Sequence, residues 1–138
     1  MSKRILIFHS SNDLYGASKI LLQVVDQLKK NGYIIHVFLP YNGPLDHIFH
    51  KKNIIVNYLN FGVFRKKYFN FFGLINRAWL ISSSIFKVIN YVKKKNIDII
   101  YTNTSIILAS GISAFLCKLP NYMHIHEIPN SSIYTKIL

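Results

Sequence analysis

The sequence predicts a three-layer α/β domain, with a mostly parallel sheet of about five or more strands flanked by helices. Three observations predict it. Short apolar runs recur at 5–8, 33–39, 54–59, 97–101 and 122–126, separated by helical stretches. The first run is continuous rather than alternating, as in a strand covered on both faces. The strand–helix–strand order then implies right-handed crossovers. At 138 residues the chain can bury one core, and 1–138 reads as a single domain.

Each element has its own justification. Strand 5–8 enters a polar loop, 9–16, and Ala17 opens a helix. Ile20, Leu21, Val24, Val25 and Leu28 share one face of that helix. Lys29 and Lys30 suit its carboxyl end, and Asn31-Gly32 stops it. Strand 33–39 leads through loop 40–44 to a short helix, 45–52, with Leu45, Ile48 and Phe49 on one side. Strand 54–59 follows.

Stretch 60–73 breaks the pattern, with five phenylalanines and a tyrosine around Arg65, Lys66 and Lys67. In the next helix, 74–95, the expected core contacts are Trp79, Ile85, Phe86, Ile89 and Val92. After strand 97–101, Thr104 or Ser105 is the expected cap of helix 106–117. Small residues there (Ala109, Ser110, Gly111, Ser113, Ala114) allow close packing on the sheet, and Pro120 ends it. The last strand, 122–126, ends in His126-Glu127.

The net charge of +12 favours an anionic partner: nucleic acid, acidic lipid or a phosphorylated substrate. Surface lysine in a chain rich in Asn, Lys, Ile, Tyr and Phe explains the same number. No helix-turn-helix or aromatic-strand motif supports a nucleic-acid partner. The lone Cys117 excludes an intrachain disulfide and reads as a buried structural thiol. The apolar run after Lys3-Arg4 is too short for a signal peptide. Window 71–92 is interrupted by Asn76, Arg77, Lys87 and Asn90, and a membrane span needs about 20 largely uncharged residues. The expected location is cytoplasmic.

Polar loops follow the first, fourth and fifth strands, and strand ends in a doubly wound sheet converge on one edge. Gly16 at a helix start suits an anion, or serves only a tight turn. There is no G-x-G-x-x-G, no acidic residue at the end of the second strand and no Walker phosphate loop, so no dinucleotide cofactor is expected. His124 and His126 point to one strand face, but two histidines alone make a poor zinc site, and no metal is expected. His126 could hydrogen-bond a substrate hydroxyl or phosphate, whereas His124 reads as interior. Glu127 is the only glutamate in the chain. No Ser-His-Asp set is present, and His36, His47 and His50 lie away from the predicted cleft.

Four pieces together resemble the amino-terminal domain of family 4-like, GT-B fold glycosyltransferases. They are Ile5-Leu-Ile-Phe-His-Ser-Ser with Leu14-Tyr-Gly-Ala-Ser, Leu39-Pro-Tyr-Asn-Gly-Pro-Leu, Asp98-Ile-Ile-Tyr-Thr-Asn-Thr, and His124-Ile-His-Glu. The resemblance covers nearly the whole chain. It implies two Rossmann-like domains facing a cleft, with this one on the sugar or glycolipid acceptor side and the other holding a nucleotide-sugar. It further implies that Gly16 and Ala17 lie near the donor diphosphate, and that Thr102 and Asn103 line the acceptor side. His126 would contact the reaction centre as the catalytic residue, with Glu127 beside it as a substrate-binding residue. Transfer would proceed with retention and without bound metal or other cofactor.

No donor-binding carboxylate motif occurs before Leu138, so the expectation is half an enzyme that alone transfers no sugar. Cell-surface polysaccharide or glycolipid assembly is the commonest setting for such enzymes. In that setting Arg65, Lys66 and Lys67, among aromatic rings, are expected to contact an anionic membrane surface. The alternative is a non-catalytic, membrane-associated subunit that recruits a separate donor-binding chain.

Overall fold

The computed structural model describes residues 2–62, 71–104 and 106–125. Their elements are β1 (Arg4–Phe8), α1 (Gly16–Lys30), β2 (Ile34–Leu39), α2 (Pro44–Lys51), β3 (Ile55–Tyr58), α3 (Phe71–Lys95), β4 (Ile99–Thr102), α4 (Leu108–Cys117) and β5 (Asn121–Met123). All five strands are parallel, in the order β3-β2-β1-β4-β5. Each expected element is present, with ends shifted by a few residues.

β1 alternates its side chains between two cores, as the strand period requires. Ile5 and Ile7 join Leu21, Val25, Val37, Leu45 and Phe49, the core under α1 and α2. Leu6 and Phe8 join Phe61, Ile81, Val88, Ile100 and Ala114, the core under α3 and α4. Phe8 meets the edges of Phe38 and Phe61 at ring-centroid distances of 5.4 and 5.9 Å. Phe61, the first ring of the aromatic-basic stretch, is thus a core residue, whereas Phe71 and Phe72 are exposed. Arg65, Lys66 and Lys67 lie outside the described residues.

Two expectations are corrected. Trp79 and Phe86 are not core residues: they are 72% and 71% exposed. The buried face of α3 is instead Ile81, Ser84, Val88 and Val92, spaced three or four apart and diametrically opposite. The second correction concerns α4, which starts at Leu108 after Ile107 with no side-chain cap. Thr104 Oγ1 only accepts the Ile106 N–H, at 3.4 Å. Ser105 lies outside the described residues.

Asn12, fully buried in the loop after β1, joins that loop to α2. Its Oδ1 accepts the Leu45 N–H at 3.0 Å, so a side chain from a distant loop caps the first turn of α2.

 The bonded pair, Asn12 and Leu45, lies 33 residues apart in the chain. The Asn12 amide nitrogen donates to Tyr41 O at 2.7 Å and to Asp46 Oδ1 at 2.8 Å. Asp46 Oδ2 accepts the Gly43 N–H at 3.0 Å and the Tyr58 hydroxyl at 2.6 Å. Burial pushes the Asp46 carboxyl up, but these donors and nearby His50 outweigh it and hold it below its usual range. Gly43 is needed for this approach, because a Cβ there would sit 3.1 Å from Asn12 Cβ and Cγ.

A second polar cluster ties α3 to the sheet. Asn57 Nδ2 donates to the Tyr91 hydroxyl at 2.8 Å, and the same hydroxyl is bonded to His36 Nδ1, also at 2.8 Å. Burial, then Lys95 and Arg4, lower the His36 pKa and favour the neutral ring.

Two outcomes follow from these clusters. Asn12→Ala removes a cap and two buried bonds, and should cost about 3 kcal/mol in urea unfolding at pH 7; a loss under about 1 kcal/mol would contradict the clamp. For His36 the folded-state pKa is depressed, so the unfolded chain takes up the proton first as pH falls. Its contribution is complete above about pH 6.5 and declines below it by at most about 1.4 kcal/mol per pH unit. His36→Gln should flatten the stability profile between about pH 5 and 7.

Candidate functional site

The chain leaves β1 toward β2 on one side and leaves β4 toward β5 on the other. The β1–β4 boundary is therefore the topological switch point, where diverging loops leave a crevice. Three backbone bonds extend the sheet to its rim: His9 N–H to Phe38 O at 3.2 Å, Asn103 N–H to Phe8 O at 2.9 Å, and His124 N–H to Thr102 O at 2.8 Å. The loops after the first, fourth and fifth strands thus share one edge, as the sequence implies.

On one side of the crevice stands the amino end of α1. Tyr15 precedes it in extended conformation, no side chain caps it, and no acidic residue lies in its first turn. Its leading N–H groups and dipole suit an anion. Gly16 has a negative φ, and a Cβ built on it meets nothing within 4 Å. The fold therefore does not require glycine here, and open space lies in front of it. Asp13, the nearest carboxylate in sequence, accepts from Ser11 Oγ at 2.8 Å and from the Tyr41 hydroxyl at 3.2 Å.

On the other side, Thr102 and Asn103 are both fully buried. Thr102 Oγ1 lies 2.8 Å from Ser110 Oγ and 3.1 Å from Asn121 Oδ1, which joins β4 to α4 and β5. The Asn103 amide reaches His9 Nδ1 at 3.1 Å and Ala17 O at 3.2 Å. Both residues form the inner wall of the crevice rather than its exposed lining. The structure brings Asn103 to Ala17, beside Gly16, whereas the Thr102 side chain turns to Ser110 and Asn121; His126 and Glu127 lie outside the described residues.

His124 sits at the same rim, 2.7 Å from the Tyr101 hydroxyl through Nδ1. Burial raises the Tyr101 pKa, so the hydroxyl stays protonated. Among the described residues, no three His, Cys, Asp or Glu side chains gather as a metal site. Sequence reasoning missed His9, Asn12 and Ser18 as determinants of the site. Their one signal is a polar cluster directly after a fully buried strand, where buried polar groups need partners.

No protein-family model matches the chain, and no curated protein matches it in sequence. Solved structures do match its fold. HepE from Anabaena, solved with UDP and glucose, aligns with a TM-score of 0.64 and 21% identity over 96% of this chain and 32% of that one. MurG from Acinetobacter baumannii gives 0.68 and 16% over 98% of this chain and 39% of that one. A glycosyltransferase from Rickettsia africae gives 0.62 and 21% over 99% and 34%. A UDP-N-acetylglucosamine 2-epimerase aligns at 0.57 and 16%, over 89% and 33%. The chain spans about a third of the length of these structures. At such identities the likeness is one of fold: the chain shares its Rossmann-like α/β architecture with a part of each of these structures.

Proposed function

We propose that this chain is the acceptor-side half of a glycosyltransferase cleft, which moves a sugar from a nucleotide-sugar to an acceptor once a donor-binding domain faces it. The observation that carries the reading is the uncapped, unobstructed start of α1 at the β1–β4 switch point. Support comes from the fold shared with HepE, solved with UDP and glucose, and with a glycosyltransferase from Rickettsia africae. In this reading Gly16 and Ala17 present backbone N–H groups to the diphosphate. Thr102 and Asn103 hold the acceptor-side wall from within. His126 acts at the reaction centre with Glu127 beside it, and the sugar is transferred with retention and without a bound metal.

The proposal includes a peripheral contact with the cytoplasmic membrane face. Phe72, Ile75, Trp79 and Phe86 form one exposed face of α3, and Lys93 continues that face at its carboxyl end. Helix α3 is long and apolar enough to cross a membrane by composition, but its opposite face belongs to the core. As folded it offers one side only, the geometry of a helix lying in an interface. Charge complementarity names the occupant. From 61 to 125 the only acidic residue is Asp98, against Arg65, Lys66, Lys67, Arg77, Lys87, Lys93, Lys94, Lys95 and Lys118. Each basic residue near an anionic leaflet contributes about 1 kcal/mol. The same face also favours a second reading, a non-catalytic membrane subunit that recruits a separate donor-binding chain.

UDP release from a panel of UDP-sugars, with and without a joined donor-binding domain, tests the first reading. The chain alone should release none and the joined protein should turn over; turnover by the chain alone overturns the half-cleft assignment. In the joined protein, Gly16→Asp should lower kcat/KM for the donor by about tenfold or more, since a carboxylate replaces the space offered to a diphosphate. The same substitution should leave the domain's Tm unchanged or raised, because acid in a first turn favours the helix. For the membrane contact, Trp79 is the only tryptophan and serves as its own reporter. Its emission should shift to the blue with phosphatidylglycerol vesicles, less so at high salt, and not with phosphatidylcholine alone. An unshifted emission together with no co-flotation rejects it.

A further inference from the structure

We propose that His9 is a positioning residue: a hydrogen-bond relay of fixed direction, from Asn103 through His9 to Ser18, holds the Gly16 loop against β4. The direction follows from the partners. Asn103 Nδ2 lies 3.2 Å from the Ala17 carbonyl oxygen, which can only accept, so that atom is the amide NH2 group. The same group lies 3.1 Å from His9 Nδ1 and donates to it, so Nδ1 is unprotonated. The ring proton is then on Nε2, which donates to Ser18 Oγ at 2.9 Å. The Ser18 hydroxyl in turn donates to the Asp13 carbonyl at 2.5 Å. One tautomer satisfies the whole chain, and reversing any bond sets two donors or two acceptors against each other.

The relay has a mechanical consequence. His9, Ser18 and Asn103 are at most 2% exposed, so their bonds are shielded from competing water. Both ends of the relay grip the backbone around the α1 start: Asn103 holds Ala17 O and Ser18 holds Asp13 O. Gly16 lies between the two grips. The placement of Gly16 is thus tied to Asn103 at the end of β4, directly through Ala17 and through the imidazole ring by way of Ser18. Its relevance to a diphosphate rests on the half-cleft reading; the relay itself does not.

Nitrogen-15 NMR of the whole chain tests it without any ligand. At about pH 7.5 the His9 ring should be neutral with the proton on Nε2. A proton on Nδ1, or an imidazolium, overturns the relay. Two substitutions then separate direction from mere space filling. His9→Gln keeps an amide near the Nε2 position and can still donate to Ser18. His9→Asn keeps one near Nδ1 and loses that limb. Hydrogen exchange of the amides between Asp13 and Ser18 should quicken about tenfold in His9→Asn and in Ser18→Ala, the worth of one buried bond, and much less in His9→Gln. Equal exchange in the two His9 variants means that the ring only fills space, and refutes the proposal. Because no nucleotide-sugar is used, this result stands apart from any failure of the glycosyltransferase assay.

Discussion

Everything in this domain depends on covering both faces of β1. Its side chains from Ile5 to Phe8 are buried, alternately under α1 and α2 and under α3 and α4. A strand so apolar has no solvated face, so helices must lie on both sides and the connections must be crossovers. The order β3-β2-β1-β4-β5 is the simplest winding that does this, growing first to one side of β1 and then to the other. The crevice at the end of β1 is a by-product of that winding. Neighbouring loops depart to opposite faces, and no side chain of the core is available to fill the gap.

The period of the apolar runs carries nearly all of the architecture. Strand and helix order and the site edge were legible in it, because each depends on residues close together in the chain; the α1 face was legible through Leu21 and Val25, whereas Ile20, expected beside them, is exposed and Ser18 is buried instead. The buried face of α3 was not. That helix carries Phe72, Trp79 and Phe86 on one side and Ile81, Val88 and Val92 on the other, so it has two apolar faces. Which one turns inward is decided by fit. Ala109 and Ala114 of α4 share the core with Ile81 and Val88, and compact branched aliphatic side chains fill that close space where a bulkier indole would not. The site was legible in part. Asn103 does reach Ala17, beside Gly16, but through bonds spanning 86 and 94 residues, which no local pattern encodes, and Thr102 turns to Ser110 and Asn121 instead.

Charge is divided along the chain in a way that the total conceals. Asp13, Asp26 and Asp46 lie in the first half, and each makes hydrogen bonds there: Asp26 pairs with Lys52, Asp13 accepts from Ser11 and Tyr41, and Asp46 anchors α2. Helix α3 carries Arg77, Lys87, Lys93, Lys94 and Lys95 with no acidic residue of its own, and α4 has no charged residue, with Lys118 directly after it. Self-repulsion within that half is a cost that exposure to solvent and salt reduces. The apolar and cationic features therefore coincide on the side of the sheet opposite α1 and α2.

The trans cap supplied by Asn12 has a consequence for how this domain can vary. Helix α2 begins on a side chain that belongs to another loop, and that loop in turn is fixed by the Asp46 carboxylate. Loops at the ends of adjacent strands are ordinarily the modular part of such folds, free to lengthen or exchange one at a time. Here the first two are a single mechanical unit. A transplant of recognition loops between domains of this kind would have to carry 9–16 and 40–46 together, and insertions should be tolerated better elsewhere along the rim.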